Sequence, residues 1–388
     1  MLVPLSYNLR SIFVRRSMTA LTALGIGATV AVVAGLLALQ QGFASLYTEH
    51  GREDVAVFLR PGATYEGDSI FSIDRGQQLA KSLPEAALDV NGQPLVSLEC
   101  FLAVRRFKTD GGETNVPIRG VEPGTFAIRG EGLRVVEGRN FEPGSDEVIV
   151  GTSLLGRVQG CRLGDVVTLN TTPFRVVGVF ESEGPYESEI WGDLRRMLET
   201  LGRYGPNRLI AKLAPEADLG ALAARLADDP RVPAKVLTER EYLSSQTEQL
   251  SKALIFLSAF LGAVMGLAAV FTATNTMLAS LAARTHEIGI LLAAGFRPFP
   301  VFVSFLLEAT LLGLLGGLVG CLMTLPLNGI QTGTTNFQTF TEVVFAFRVT
   351  PTVLLSAVTF SLVLGLLGGA WPAWRAARMT PTEALRRR

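Results

Sequence analysis

Residues 275–297 read Asn-Thr-Met-Leu-Ala-Ser-Leu-Ala-Ala-Arg-Thr-His-Glu-Ile-Gly-Ile-Leu-Leu-Ala-Ala-Gly-Phe-Arg, and this stretch decides how the chain is organised. It begins inside one long uncharged run and ends just before another. About 20 consecutive apolar residues are enough to cross a bilayer. The pattern therefore predicts two membrane helices joined by a short amphipathic helix on one side of the membrane.

Composition supports a protein that is partly solvated by lipid. The chain has 388 residues, of which 48% are hydrophobic, and its mean hydropathy is +0.34. Residues 41–252 hold 24 basic and 31 acidic side chains, whereas the remaining segments hold 11 basic and 4 acidic ones. We therefore expect a mildly acidic soluble domain and a set of apolar helices with basic ends. The absence of a large basic field argues against nucleic acid as a partner.

The fold class that follows is an α-helical membrane protein with four transmembrane helices and a large α+β extracytoplasmic domain inserted between helices 1 and 2. The predicted membrane helices are residues 17–42, 253–283, 298–327 and 349–374. The predicted remaining parts are a cytoplasmic N-terminus (1–16), the extracytoplasmic domain with its stalk ends (43–250), a cytoplasmic coupling helix (284–297), an external loop (328–348) and a cytoplasmic tail (375–388).

The distribution of arginines sets the predicted orientation. A cleaved signal peptide is the alternative for the first apolar run, but this run is longer than the roughly 7–15 residues of a signal-peptide core. The segments assigned to the cytoplasm contain ten Lys or Arg residues and two acids, whereas the short external loop contains one arginine, Arg348. Positive residues favour the cytoplasmic side. We expect a multi-pass protein of the inner (plasma) membrane with both termini in the cytoplasm.

The domain between the first two apolar runs alternates β-like stretches with turn signals. Two helical stretches, 74–83 and 219–227, interrupt the strands. We expect an α+β domain, with residues 135–180 as a candidate separate all-β module. Residues 236–250 turn polar and helical just before the second apolar run, which predicts one long helix that continues from the domain into the membrane.

Small residues recur one helical turn apart in three of the apolar runs. In lipid such pairs let two helix backbones approach closely. They serve either packing within one bundle or a seam between two chains, and both interpretations stay open at this stage. The pairs are Gly262 with Gly266, Gly313 with Gly317, Gly316 with Gly320, and Gly365 with Gly369.

Glu308 stands alone among apolar residues. A carboxylate is costly in lipid, so it should face protein, accept hydrogen bonds or be protonated. One interpretation is a proton relay or substrate contact. The other is a structural hydrogen bond to the second helix, for which Thr274 and Asn275 are the candidate partners. We predict Glu308 and Asn275 to be the polar site residues within the membrane.

The sequence contains no recognisable catalytic or metal-binding motif. The run at 76–82 ends in Lys-Ser but lacks the second glycine of a phosphate-binding loop. His50 and His286 lie on opposite sides of the predicted membrane, so they cannot share a metal. The three cysteines are too few for a disulfide framework, although a bridge between Cys100 and Cys161 stays an alternative. We expect a chain that is not an enzyme and binds no cofactor.

Four segments together resemble the MacB / lipoprotein-releasing / FtsX-like family of ABC permeases. They are residues 275–277 with 284–295, residues 308–317, residues 372–386, and residues 147–151 with 163–180. The resemblance implies that 284–297 is the helix that docks on an ATP-binding subunit. The residues that it assigns to this coupling are Arg284, His286, Glu287, Ile288, Gly289, Leu291, Leu292 and Gly295.

The family implies a mechanism called mechanotransmission. Two permease chains pair as a homo- or heterodimer, and ATP with Mg²⁺ binds to the partner ATPase, whose closure moves the extracytoplasmic domains. MacB carries its ATPase on the same chain and this sequence holds none, so we expect a separate ATP-binding subunit. A periplasmic adaptor and membrane lipid are further expected partners. The implied activity is efflux from the periplasmic side; the alternatives are lipoprotein release, an FtsX-like regulator of an external cell-wall hydrolase, and an anchored receptor without an ATPase.

Overall fold

The computed structural model describes residues 16–182, 184–293, 297–335 and 341–380. Within these residues the chain forms two compact units. The helical unit takes the chain up to residue 42, residues 252–330 and the chain from residue 346 onward. The sheet unit takes residues 43–251 and 331–345.

The secondary structure alternates long helices with one region of strands. The elements in chain order are α1 (Arg16–Thr48), β1 (Val55–Leu59), α2 (Ile73–Lys81), β2 (Val96–Phe107), β3 (Glu113–Val121), α3 (Gly124–Arg129), β4 (Leu133–Gly138), β5 (Glu147–Gly151), β6 (Val166–Leu169), β7 (Thr172–Ser182), β8 (Ile190–Asp193), α4 (Leu194–Thr200), β9 (Arg208–Lys212), α5 (Leu219–Ala227), β10 (Lys235–Thr238), α6 (Glu239–Ala283), α7 (Thr285–Ala293), α8 (Pro298–Thr324), β11 (Gln331–Thr335), β12 (Glu342–Ala346) and α9 (Pro351–Ala377).

Four of the described helices, α1, α6, α8 and α9, are long and apolar enough to cross a membrane. Their positions agree with the four apolar runs, but three of them, α1, α6 and α9, extend beyond the predicted boundaries. Helix α1 continues six residues past the predicted end at 42, and α6 begins at Glu239 and runs for 45 residues without a break. The predicted continuous helix from the domain into the second apolar run is therefore confirmed as a helix.

Glycines bring helices α8 and α9 into close contact. A methyl group added at Gly365 would lie 2.7 Å from the carbonyl oxygen of Ala309, and one at Gly313 would lie 2.6 Å from that of Ser361. On the opposite side of α8, Gly316 and Gly320 face Ile26 and Val30 of α1.

Gly262 and Gly266 of α6 likewise face side chains of α1 and α9, among them Phe360. The small-residue pairs thus serve packing within one bundle. A seam between two chains along those same faces is contradicted, because this chain's own helices occupy them.

The sheet unit is built on one mixed sheet of ten strands. The strand order is β10-β1-β9-β2-β3-β8-β5-β7-β4, with β6 paired to β7. Most neighbours are antiparallel, whereas β3 with β8 and β5 with β7 are parallel. Helices α2 and α5 correspond to the two helical stretches predicted at 74–83 and 219–227. Apolar side chains from the strands and from α2, α4 and α5 form the main core.

A separate all-β module at 135–180 is not present. Strand β5 pairs with β8 as well as with β7, so these residues continue the sheet of the rest of the unit. The predicted external loop also contains regular structure, because β11 and β12 form a two-stranded sheet. Cys100 and Cys161 are free thiols, which excludes the alternative bridge between them.

Candidate functional site

The corner between α6 and α7 is held by an ion pair. Arg284 Nη1 lies 2.9 Å from Glu308 Oε2 of α8, and the two side chains are only 11% and 7% exposed. A second carboxylate, Glu287, lies 3.8 Å from Arg284 Nε. Removing one partner of a buried pair leaves an uncompensated charge and is strongly destabilising. The ion pair therefore fixes the start of α7 to α8.

Glu308 is accommodated in the helical unit by its ion pair with Arg284. It has a structural partner, as one interpretation required, but the partner is Arg284 and neither Thr274 nor Asn275. Thr274 Oγ1 instead donates to the Gly368 carbonyl oxygen of α9 at 2.9 Å, and Asn275 is exposed on α6. The sequence pattern could not reveal the pair, because Arg284 lies 24 residues away from Glu308 and outside the apolar run.

Two apolar side chains of α7, Ile288 and Leu292, pack against this chain's own helices. Ile288 is buried in a cluster with Met277, Val301, Phe305 and Ala373, and Leu292 packs against the same cluster. Two of the residues that the resemblance assigns to ATPase coupling, Ile288 and Leu292, therefore contact this chain's own helices.

Among the described residues, three side chains on the other side of α7 are exposed. They are His286, Glu287 and Ile290, the last of which is 52% exposed. Gly289, between them, is buried. Leu291 lies on the helix, and Gly295 lies outside the described residues. Of the eight proposed coupling residues, Arg284, Ile288 and Leu292 therefore hold α7 in place, whereas His286 and Glu287 are exposed.

A second group of charged residues lies inside the sheet unit, and sequence reasoning missed it. We call it the buried charge cluster, and its members are Glu66, Glu99, Arg119, Arg129, Glu189, Arg208 and Glu239. Its four carboxylates are buried, whereas the acidic residues of a soluble domain are ordinarily expected on a solvated surface. The one local signal is at Glu99, which has apolar or small residues on both sides from Val96 to Val104, whereas Arg119 shares its strand with Glu113, Thr114 and Asn115.

Each carboxylate of the buried charge cluster is paired with a guanidinium. Arg119 Nε and Nη2 donate to the two oxygens of Glu189 at 2.7 and 2.8 Å, and its Nη1 donates to Glu66 at 2.7 Å. Arg208 Nη2 lies 2.6 Å from Glu99 Oε2. Buried charges are tolerated when they are paired and hydrogen-bonded in this way.

Burial and pairing act in opposite directions on the pKa values of these carboxylates, and burial wins at Glu189, whose pKa is raised. Burial acts to raise the pKa of Glu99, but the Arg208 and Arg119 guanidinium groups outweigh it and hold the pKa at about 2. The same opposition lowers the pKa of Glu66. Burial raises the pKa of Tyr186 to about 12, so its hydroxyl stays a donor.

The cluster fastens the first turns of α6 to the sheet unit. Glu239, the first residue of α6, pairs with Arg129 and accepts a hydrogen bond from Tyr186 Oη at 2.8 Å. One turn later the hydroxyl of Tyr242 accepts from the Glu66 backbone amide at 3.3 Å. Helix α6 thus begins at this cluster and ends, 45 residues later, at the Arg284 corner.

Comparison with known proteins agrees with both halves of this architecture. The MacB-like periplasmic core domain matches residues 19–229, and the FtsX-like permease C-terminal domain matches residues 259–381. The chain belongs to the MacB-like family of ABC transporter permeases. The predicted resemblance is thereby confirmed, and four apolar helices with a large mixed α/β domain are the architecture of this permease.

Among its relatives are two macrolide export ATP-binding/permease proteins of Aeromonas hydrophila subsp. hydrophila. MacB 1 is 27% identical over 94% of this chain, and MacB 2 is 26% identical over 98% of it. The chain spans 57% and 60% of the lengths of these two proteins. The periplasmic region of MacB from Actinobacillus actinomycetemcomitans is a structural neighbour with a TM-score of 0.37 and 13% identity, covering 53% of this chain and 95% of that one.

Proposed function

We propose that this chain is a multi-pass permease of the inner (plasma) membrane that couples ATP hydrolysis on a separate ATP-binding subunit to movement of its sheet unit outside the cytoplasm. Helix α7 is the proposed docking element. We propose export of a substrate from the periplasmic side as the outcome, in line with the names of the MacB relatives. ATP and Mg²⁺ would bind to the partner subunit.

The observation that carries the proposal is the fixed corner at Arg284. A docking element can pass on a displacement only if it does not slide on its own support. The ion pair to Glu308 and the burial of Ile288 join α7 to α8, while His286 and Glu287 stay outward. Packed helices shift as units rather than deform continuously. A push on α7 would therefore move the helices with it.

Helix α6 supplies a route from the corner to the sheet unit. It is one unbroken helix, and its first residue is held in the buried charge cluster. A hydrogen bond between the hydroxyls of Thr276 and Thr22 of α1, at 2.9 Å, and one from Thr274 to the Gly368 carbonyl oxygen of α9 keep it in the bundle. In this proposal α6 carries the displacement and the cluster receives it.

The distribution of basic residues supports the proposed orientation, with α7 and both termini in the cytoplasm. We further propose that two permease chains act together. The seam between them would use faces other than the glycine pairs, since these are occupied within one chain.

Substitution of Glu287 tests the docking role. In the full chain, copurified with its ATP-binding subunit and reconstituted in lipid, Glu287→Lys should weaken capture of that subunit and reduce ATP turnover. Glu287→Gln is the matched neutral variant, because the lysine would also lie close to Arg284. Glu131→Lys, on the exposed surface of the sheet unit, is the control. Turnover and capture equal to wild type in Glu287→Lys would refute docking through α7.

The copurified partners also test the proposed export. An adaptor with an outer-membrane channel supports efflux. Acylated proteins would replace efflux with lipoprotein release, and a cell-wall hydrolase would replace it with regulation.

A further inference from the structure

The end of helix α9 carries two exposed tryptophans and two exposed arginines. Trp371 and Trp374 are 50% and 47% exposed, and Arg375 and Arg378 follow them within the next turn. Residues three, four and seven positions apart lie on one side of an α-helix. These four side chains therefore form one outward surface, which we call the α9 end face.

The α9 end face lies at the same end of the helical unit as α7. Ala373 and Ala376, on the opposite side of α9, are fully buried in the cluster that also contains Ile288 of α7. Helix α9 thus turns its small residues towards the other helices and its aromatic and basic residues away from them. In the proposed orientation this end of the bundle is the cytoplasmic one.

Each arginine of the α9 end face lies over a tryptophan ring one turn earlier. The guanidinium carbon of Arg375 is 5.7 Å from the ring centroid of Trp371, and that of Arg378 is 4.3 Å from the ring centroid of Trp374. A guanidinium group can contact an aromatic ring in this way and still donate through its N–H edge to two oxygen atoms of a phosphate. The tryptophans therefore position two phosphate-binding groups.

The positive charge of these arginines is not compensated within the described part of the helical unit. That part contains two acidic side chains, Glu287 and Glu308, and both lie within 4 Å of Arg284, at 3.8 and 2.9 Å. The negative end of the helix dipole attracts Arg375 and Arg378, but it supplies only about half an elementary charge. An anion from outside the chain would complete the pairing.

We propose that the α9 end face binds the head group of an anionic phospholipid of the surrounding membrane. The lipid phosphate would accept hydrogen bonds from Arg375 and Arg378, while Trp371 and Trp374 lie at the membrane interface, where tryptophan is enriched. A zwitterionic lipid carries the same phosphate together with a cation that the arginines repel, so the face should prefer anionic lipid. The inference rests on the proposed placement of α9 across the membrane.

The test uses the full chain in lipid nanodiscs that contain phosphatidylglycerol and phosphatidylcholine at a fixed ratio. Bromine is placed on the acyl chains of one lipid or the other, and it quenches tryptophan fluorescence at contact. The third tryptophan, Trp191, is fully buried in the sheet unit and gives a constant background. Each basic side chain near anionic lipid contributes roughly fivefold in association. We therefore expect quenching that corresponds to an enrichment of phosphatidylglycerol of about fivefold or more.

Two sets of variants identify the arginines responsible. The double variant Arg375→Gln with Arg378→Gln should bring the enrichment close to one, while nanodiscs in which both lipids are brominated quench this variant and the wild type equally. Arg297→Gln is the matched control, because it removes an exposed arginine just before α8, at the same end of the helical unit. It should leave the enrichment unchanged.

Equal quenching by the two brominated lipids in the wild type would overturn the proposal. A loss of enrichment in Arg297→Gln as large as that in the double variant would also overturn it, because it would show attraction by diffuse surface charge. Absence of quenching by either lipid would place α9 outside the membrane, and would overturn the proposed membrane placement together with this inference.

Discussion

The attachment of α6 to the sheet unit can be measured through one ion pair. The perturbation is Glu239→Gln, which keeps the shape of the side chain and removes its charge. In the wild-type protein Glu239 pairs with Arg129 and accepts from Tyr186 Oη. Arg129 is buried, and among the described residues its Nε and Nη2 have no hydrogen-bond partner. The pair with Glu239 is therefore the main compensation for a buried guanidinium.

The size of the effect follows from that burial. Breaking a buried pair by removing one partner costs about 3–5 kcal/mol, since the other charge stays buried. For a domain of roughly 150–250 residues, each kcal/mol shifts the unfolding temperature by about 2–4 °C. We therefore expect Glu239→Gln to lower the unfolding temperature of the sheet unit by roughly 6 °C or more.

The double variant Arg129→Met with Glu239→Gln separates the charge from the packing. It removes both charges together, and replacing a buried pair by apolar groups is often close to neutral. Most of the lost stability should therefore return. The exposed pair of Arg225 and Glu85, at 2.8 Å, is the matched control, and Glu85→Gln should cost about 0–1 kcal/mol.

The assay is thermal unfolding of the full chain in detergent, followed by circular dichroism. It compares the wild type, Glu239→Gln, Glu85→Gln and the double variant Arg129→Met with Glu239→Gln. A shift in Glu239→Gln no larger than that in Glu85→Gln would refute the reasoning. Failure of the double variant to regain stability would show that the packing around Glu239, rather than its charge, holds α6.

Two further predictions concern pH and helix packing. The pKa of Glu99 is about 2 in the folded protein, below its usual value near 4.3, so this group contributes about 3 kcal/mol of stability above pH 4–5. That contribution is lost as the pH falls towards 2. Urea unfolding between pH 6 and 3 should show the free energy of unfolding decreasing as the pH falls, and a flat profile would contradict this. Gly365→Val should force α8 and α9 apart and lower the free energy of unfolding by about 1–3 kcal/mol, because its Cβ would meet the Ala309 backbone. Gly25→Ala should be tolerated, since a Cβ at that position has open space. Equal unfolding temperatures for these two glycine variants would argue against close α8–α9 packing.

The sequence predicted the elements whose signal is local. Four long uncharged runs indicate four apolar helices, because no other regular structure satisfies its backbone within so apolar a segment. The helices near 74–83 and 219–227, and the polar start of the long helix before the second apolar run, are likewise indicated by the helical spacing of apolar residues along the sequence. Four short segments, among them 284–295 and 372–386, also sufficed to recognise the permease family, because the resemblance lies in local sequence and needs no tertiary contact.

Pairing between distant residues could not be read in the same way. Residues 135–180 look like a module of their own, and only the pairing of β5 with β8 shows that they extend one sheet. Strand pairing depends on which edges meet in space, and the chain carries no local record of that.

What the sequence alone determined is therefore which segments are apolar helices and which family the chain belongs to; what tertiary structure decided is where the charges go. Arg284 was predicted to face a partner, and Glu308 to bond with Thr274 or Asn275, yet the two pair with each other. Glu99, Arg119 and Glu239 look like ordinary surface charges in the sequence and are buried together. The physical reason is that the pairing of a buried charge is fixed by distances of 3–4 Å in space, which separations of 20 to 140 residues along the chain do not reveal.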